Sequence, residues 1–424
     1  MISASSLNLA DETDRMNSLI ADFRLASRNL RRNTQRTLVA TLTVAFGIVA
    51  FLLAGGFIAW IFEQMRESAI HSQFGHLQIV RPAYFEKGIA DPYAFLLPDQ
   101  AAEREVVGRI PGFKSLAPRL AFSGLISHGE TTVAFIGDGV DPVSEKPVST
   151  QVNIMTGRDL ETSDERAVLL GEGLARSMGV APGDTVVLLV TAANGSPSAV
   201  EVEVAGIFAT TTKEYDDSAL RLPIDVTRKL MRVTGATSWV VLLDETGKTQ
   251  AAEGYLRQQL SSERFEIVPW SALADFYNKT VVLFSKQVSV VKIIIGIIIV
   301  LTISNTQMMS VLERTTEIGT SLAIGLRRST LMRMFIAEGA MIGVAGGVLG
   351  VILAFVLAQA ISAVGIPMPP PPGMARGFLG EILIVPQLVV DALVLAIVTT
   401  FAASILPAWK ASRMVIVDAL RQNQ

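Results

Sequence analysis

The sequence of 424 residues contains no cysteine, only three histidines and few charged residues. Without cysteine the chain forms no disulfide, thiolate zinc site or cysteine nucleophile. An imidazole-based centre would have to use His71, His76 and His128, which we interpret as ordinary surface or packing residues. The net charge is −3 with both signs interspersed, so nucleic acid is not an expected partner. The sequence predicts no catalytic residue, no metal site and no cofactor bound by this chain.

Half of the residues are hydrophobic and 18% are charged, a composition too apolar for an ordinary soluble protein. A bilayer core about 30 Å thick requires about 20 apolar residues in a helix. Runs of this kind predict transmembrane helices at 38–62, 292–311, 334–366 and 388–409. The interval 63–291 contains no comparable run and must lie on one side of the membrane. The predicted fold class is an α-helical membrane protein with four transmembrane helices and a large extracytoplasmic α+β domain.

Basic residues predict the orientation, because lysine and arginine accumulate in short cytoplasmic flanks. The N-terminal segment 1–37, the segment 312–333 and the C-terminal segment 410–424 are all basic, whereas the outer loop 367–387 contains only Arg376 as a basic residue. We therefore expect both termini to be cytoplasmic in a bacterial inner membrane, with the large domain periplasmic. The first run follows a long polar leader and exceeds the length of a signal-peptide core, so we interpret it as an uncleaved anchor.

The extracytoplasmic interval alternates between helical and strand patterns at its two flanks and is mostly β in the middle. We expect an α/β subdomain with an inserted β-rich subdomain, followed by a helical stalk over Ala274–Lys292 that continues into the second span. The acidic run around Asp216 and Asp217 is interpreted as a solvated face rather than a metal site. Consecutive prolines over Pro367–Pro372 predict a stiff, extended outer loop.

Five glycines in the third span lie at spacings that allow another helix to approach closely in lipid. The spacing leaves open whether they serve packing within the chain or an interface between subunits. They are Gly339, Gly343, Gly346, Gly347 and Gly350.

Several short motifs occur in a fixed order along the chain. Those near the spans are Asn29-Leu30-x-Arg32-x-x-x-Arg36-Thr37, the run 311–319 followed by 323–325, Glu338-Gly339, and the stretch from Pro407-Ala408 to Ala419-Leu420-Arg421. Those of the outer domain lie at residues 75–79, 139–142, 170–171 and 183–184. Together they resemble the MacB/FtsX-like ABC transporter permease family, in particular four-span members such as the macrolide-exporter permease and the lipoprotein-release permeases LolC and LolE.

The resemblance implies a dimer of permeases, identical or paired with a homologue, bound to a cytoplasmic ABC ATPase and served by a periplasmic carrier or adaptor. The ATPase partner would bind ATP, and the sequence contains no phosphate-binding Gly-x-x-x-x-Gly-Lys-Ser/Thr motif. The expected function is release or export of a lipidated or amphiphilic envelope substrate by mechanotransmission. An alternative is an FtsX-like transducer that regulates an envelope hydrolase without transport.

The segment after the second span is where the resemblance places the ATPase contact. Glu313 and Glu317 fall at i, i+4 on one helical face with Arg314 beside them. Gly319 and Gly325 are expected to interrupt the helix and to allow an apolar contact through the residues 322–324. The family usually has an arginine where this chain has Leu322; Arg327 and Arg328 either replace it or are ordinary cytoplasmic charges. The alternative is an amphipathic connector lying at lipid headgroups. The full set of predicted coupling residues is Glu313, Arg314, Glu317, Gly319, Leu322, Ala323, Ile324 and Gly325.

Overall fold

The structure is a computed structural model that describes residues 28, 30, 32, 34–88, 91–99, 101–210, 212–369 and 377–414. Parts of three predictions lie outside the described residues: most of the segment 1–37, the prolines at 370–372 and the motif that ends at Arg421. The chain divides into two compact units. We call them the helical unit, which comprises residues up to 61, 281–366 and 379 onward, and the sheet unit, which comprises 62–280 and 367–378.

The helices differ sharply in length, since four of them have 27 residues or more and the rest have 11 or fewer. In chain order they are α1 Thr34–Ala69, α2 Glu103–Gly108, α3 Pro142–Glu145, α4 Glu172–Met178, α5 Lys213–Asp216, α6 Ile224–Met231, α7 Thr249–Gln259, α8 Trp270–Leu273, α9 Asp275–Glu313, α10 Thr315–Ala323, α11 Arg328–Val364 and α12 Pro386–Ser412.

The strands lie between α1 and α9, apart from two short ones between α11 and α12. They are β1 Leu77–Val80, β2 Phe113–His128, β3 Thr131–Val140, β4 Asn153–Gly157, β5 Ala167–Gly171, β6 Thr185–Thr191, β7 Pro197–Ala209, β8 Ala219–Pro223, β9 Ser238–Leu243, β10 Glu266–Pro269, β11 Ile366–Met368 and β12 Phe378–Gly380.

Four helices of the described chain are long and apolar enough to cross a membrane. They are α1 with the π-helical turn that follows it, α9, α11 and α12, and their mean hydropathy over the best window is between 2.3 and 2.5. Each exceeds the roughly 20 residues that a bilayer core requires. The predicted fold class is confirmed, and the helix predicted over Ala274–Lys292 is one continuous helix with the second predicted span.

The four long helices share one apolar core within the helical unit. Its buried side chains come from α1, α9, α11 and α12, with Val44, Ile48 and Leu52 on α1 among the most deeply buried. In contrast, α9 has the smallest buried fraction of the four, and apolar side chains such as Ile297 and Leu301 are exposed along it. The apolar surface of α9 is therefore the least covered of the four.

The inserted β-rich part of the sheet unit is a closed barrel of six strands. The pairing runs from β2 to β3, β8, β5, β7 and β6, and β6 returns to pair with β2. Alternating burial along β6, with Val186, Leu188 and Val190 inward, matches the two-residue period of strands that line a core. Because the barrel closes, its six strands cover one another's hydrogen-bonding edges.

The long strand β2 belongs to both parts of the sheet unit. Residues 113–119 pair with β9, and residues 124–127 pair with β6 on the same edge of the strand. The first half continues through β9 and β1 to β10, where α2 and α7 cover a core around Trp239 and Leu256. The predicted α/β flanks and β-rich insertion are therefore present, and β2 joins them.

Candidate coupling site

The segment between α9 and α11 forms the short helix α10. The break before it falls at Arg314, whose backbone leaves the helical region with φ −100° and ψ 15°. The helix ends at Ala323, and Gly325 two residues later has φ +103°. The amides of Gly325 and Leu326 donate to the carbonyls of Leu322 and Ser321, which closes the helix with a Schellman motif. Glycine is required there because a left-handed residue with a side chain would be strained.

Gly319 does not interrupt the helix, and that interpretation was wrong. It lies inside α10 and is buried, one residue after the buried Ile318. The inner face of α10 packs Ile318 and, less completely, Leu322 against a cluster formed by the ends of α9, α11 and α12. Helical φ and ψ cost glycine only backbone entropy, which packing of this kind offsets. Val311, Leu331, Phe335, Ala408 and Ala411 complete the buried cluster.

The two glutamates of the segment are paired with arginines of the same chain. Arg32 Nη2 lies 2.6 Å and 2.7 Å from the two carboxylate oxygens of Glu317. Arg36 donates from both terminal nitrogens to the carboxylate of Glu313. The hydrogen bonds from Arg32 hold the pKa of the Glu317 carboxyl below its usual range. The charge of Glu313 and Glu317 is therefore paired within the chain.

Arg314 turns inward rather than outward. Its side chain is 13% exposed, and its Nε lies 3.5 Å from Glu317, a weaker contact than the one made by Arg32. Glu338, near the start of α11, is also buried and lies within electrostatic range of Arg314. Among the residues that the structure describes, Arg327 and Arg328 form no ion pair, whereas Arg32 pairs with Glu317.

The end of α10 presents the apolar surface of the segment. Ile324 is 83% exposed and Leu326 is 39% exposed, and Ala323 is exposed beside them. Because the Schellman turn fixes the backbone at Gly325, the backbone that carries these side chains has one defined position. We call Ala323, Ile324 and Leu326 the apolar tip.

The five glycines of α11 face two different neighbours within the chain. A Cβ at Gly343 would lie 2.2 Å from Thr400 Oγ1, and Gly339 and Gly347 also face α12. A Cβ at Gly350 would lie 2.8 Å from the carbonyl oxygen of Ala45, and Gly346 likewise meets α1. The glycines thus allow close packing of α11 on α12 and α1 inside the chain.

Polar groups of the neighbouring spans meet beside the same glycines. The Gln307 amide on α9 donates to Ser404 Oγ on α12 over 3.0 Å, and Ser404 donates to the carbonyl of Thr400. Interhelical hydrogen bonds of this kind satisfy polar side chains where water is absent. The polar end of the second span therefore contributes to helix packing.

The sheet unit contains buried charge, but its arrangement is structural. Arg119 on β2 donates to Glu145 over 2.6 Å, and Arg221 on β8 reaches Ser149 Oγ, which in turn donates to Glu145. Both arginines also donate to main-chain carbonyls of the π-helical turn Ile70–Phe74. Buried charges are tolerated when they are paired and hydrogen-bonded in this way.

Two other interpretations from the sequence can be compared with the sheet unit. Asp216 is buried rather than solvated, because its carboxylate accepts hydrogen bonds from the amide and hydroxyl of Thr210. Among the described residues, no group of three or more His, Cys, Asp or Glu side chains could hold a metal ion. His76 is a packing residue, as its two ring nitrogens contact Leu243 N and Thr246 Oγ1.

We call the segment 312–333 between the second and third spans the coupling segment. Sequence reasoning missed the pairing of Arg32 and Arg36 with the glutamates of this segment. A signal was present, since two arginines at i, i+4 and two glutamates at i, i+4 form matching ladders on two helices. The arginines were interpreted only as cytoplasmic flanking charges and as part of a motif. Charge spacing alone does not identify which helices lie side by side.

Two family models match the chain. The model of the MacB-like periplasmic core domain matches residues 37–259, which is more than half of the chain, and the model of the FtsX-like permease C-terminal matches residues 289–416. The second match covers the coupling segment and the three spans α9, α11 and α12, and the first covers α1 and most of the sheet unit.

Curated relatives agree with these models at low identity. LolC of the lipoprotein-releasing system of Xylella fastidiosa is 25% identical over 73% of this chain and 78% of its own length. The macrolide export protein MacB of Hyphomonas neptunium is 26% identical over 94% of this chain and 60% of its own length. An uncharacterized ABC transporter permease of Methanocaldococcus jannaschii is 26% identical, and the chain spans about half (53%) of its length.

Among solved structures, the periplasmic region of MacB from Actinobacillus actinomycetemcomitans covers 49% of this chain and 95% of its own, with 14% identity and a TM-score of 0.35. The family models and the four long apolar helices give the same assignment. The chain belongs to the family of ABC transporter permeases that combine a MacB-like periplasmic core domain with an FtsX-like permease C-terminal region.

Proposed function

We propose that this chain is the permease subunit of an ABC transporter. We further propose that a separate cytoplasmic ATPase binds at α10 and moves it during ATP hydrolysis. The observation that carries the proposal is the apolar tip, which is exposed on a helix closed at a fixed turn. Exposed apolar side chains of this kind are more favourably buried in an apolar groove of a partner protein than left in contact with water. In this arrangement the segment 312–333 and both termini are cytoplasmic, and the sheet unit is extracytoplasmic.

The proposed substrate is a lipidated or amphiphilic molecule of the cell envelope. Support comes from the relatives, whose names assign them to lipoprotein release and macrolide export. No ionisable side chain lies near the middle of the apolar runs 38–62, 292–311, 334–366 and 388–409, which is unlike the pathway of a proton- or ion-coupled carrier. The movement of α10 would then be transmitted along α9, the helix that begins at Asp275 and ends at Glu313 next to α10. ATP would bind only to the partner, and two permease copies or homologues would form the working unit.

The proposal is tested by purifying the chain in mild detergent and identifying co-eluting proteins by mass spectrometry. We expect an ABC-type ATPase to co-elute with the wild type, and Ile324→Arg to reduce its recovery at least fivefold at equal membrane level. The matched control is Val364→Arg, because Val364 is equally exposed (83%) at the far end of α11. Full ATPase recovery with Ile324→Arg, or no ATPase with the wild type, would contradict the proposal.

The substrate class is tested with the recovered complex in proteoliposomes. Acylated lipopeptide is expected to change the rate of ATP hydrolysis, whereas the same peptide without acyl chains leaves the rate unchanged. An equal response to both peptides would argue against recognition of the lipidated part.

A further inference from the structure

Two ion pairs connect the segment at the start of α1 with the coupling segment. The arginines lie four residues apart, and so do the glutamates, with Arg32 on Glu317 and Arg36 on Glu313. The order is antiparallel, since the earlier arginine meets the later glutamate. Each arginine makes two hydrogen bonds to its carboxylate, which restricts orientation as well as distance. We call this set of four side chains the arginine clamp.

Stability alone does not explain the clamp. The side chains of Arg32 and Glu317 are 60% and 54% exposed, and exposed ion pairs contribute little to stability. The four-helix core beside them is already closed by buried apolar side chains. Two bidentate pairs in register add little to that core, but they fix the position of α10 relative to the start of α1.

The clamp joins the ends of two helices that both continue into the sheet unit. Glu313 is the last residue of α9, which begins at Asp275, and Arg36 is the third residue of α1, which ends at Ala69. α10 follows α9 after the single non-helical residue Arg314. A displacement of α10 therefore also acts on α9, because the two helices are consecutive in the chain. The clamp connects α1 to α10 through ion pairs, so the same displacement acts on α1.

We propose that Arg32 and Arg36 are positioning residues of the coupling site, which hold α10 against the start of α1 so that the ATPase moves α1 and α9 together. This inference rests on the proposed function. It places two residues of the coupling site close to the start of the first span, and not in the loop between the second and third spans.

Charge reversal and charge exchange test the proposal. Arg32→Glu and Glu317→Arg, each alone, are expected to keep the membrane level, and Arg32→Glu is expected to keep ATPase recovery as well, because it lies outside α10 and leaves the apolar tip unchanged. Substrate-dependent ATP hydrolysis should fall at least fivefold. The double variant with both changes restores the pair with opposite polarity and should return hydrolysis to within twofold of the wild type. Arg28→Glu is the matched control, as Arg28 is an exposed helical residue one turn before Arg32.

Hydrogen exchange on the purified full-length permease tests the positioning role without the ATPase. Each single reversal should increase amide exchange over residues 313–323 severalfold, and the double variant should reverse the increase. High salt should have the same effect as a single reversal, because exposed ion pairs are screened. Single reversals with wild-type exchange and wild-type hydrolysis, or a double variant no better than the singles, would overturn the proposal. Failure to recover an ATPase with the wild type would count against the proposed function, and hydrogen exchange would still decide whether the clamp positions α10.

Discussion

His76 shows how a single side chain joins three elements of the sheet unit. The amide of Leu243 donates to its Nδ1 over 3.0 Å, so its Nε2 carries the proton and contacts Thr246 Oγ1 at 3.1 Å. Thr246 in turn donates to Glu67 near the end of α1 over 2.9 Å. Burial, and then the nearby His71, lower the pKa of His76 to about 4. The neutral imidazole is therefore part of the folded structure.

This predicts a loss of stability in mild acid. Below the unfolded pKa near 6.5 the unfolded chain gains a proton that folded His76 takes up only near pH 4, so stability falls as the pH drops between these values. The loss amounts to about 3 kcal/mol at most. His76→Asn keeps an acceptor for the Leu243 amide without titrating, and should flatten the dependence. Thermal unfolding of the full-length protein in detergent from pH 4 to 7 measures the effect. Parallel curves for the two proteins would contradict the prediction.

At the scale of elements, α11 packs closely on α1 and α12 because its glycines face both. The two faces differ in what a side chain would meet. A Cβ at Gly350 meets the backbone oxygen of Ala45, which cannot rotate away, whereas a Cβ at Gly343 meets the hydroxyl of Thr400 and, at 3.2 Å, the backbone oxygen of Ala396. Both contacts are therefore sensitive to an added side chain.

We predict that Gly350→Ala lowers the stability of the helical unit by about 1–3 kcal/mol, as overpacking of a close-packed core does. Gly296→Ala on α9 is the matched control, since its Cβ would meet Thr399 Cγ2 at an ordinary 3.4 Å. The apparent melting temperature in detergent, followed by loss of monodisperse protein, distinguishes the two variants. Equal melting temperatures for the two variants would show that α1 and α11 separate easily.

For the whole molecule, the proposed topology places the turn after β2 outside the cell membrane and the segment between α10 and α11 inside. The sequence contains no cysteine, so single cysteines can be introduced without a background. Glu130→Cys and Ser329→Cys, both at exposed positions, are suitable probes. An impermeant thiol reagent added to intact spheroplasts should label the first and leave the second unlabelled until the membrane is permeabilised. The reverse pattern would invert the topology and remove the basis for ATPase docking at α10.

The sequence by itself determined the four long helices and the interval that separates the first two. A hydrocarbon layer of fixed thickness demands a run of fixed length, and such runs are visible without any knowledge of packing. Likewise, small residues at four-residue spacing mark a face for close helix packing, because the spacing follows from helix geometry. The interruption expected at Gly325 is also present, since glycine readily adopts the left-handed backbone that follows the end of a helix.

Only the tertiary structure decided which surfaces meet. The barrel closes because β2 has 16 residues and offers different lengths of one edge to β9 and β6, a choice that no local pattern encodes. Asp216 became a buried acceptor because the chain folds back to Thr210. The arginine clamp depends on residues 277 and 285 positions apart in the chain. Hydropathy and periodicity indicate which segments and faces are apolar and which are polar. Pairing between distant segments depends instead on the packing of the whole fold.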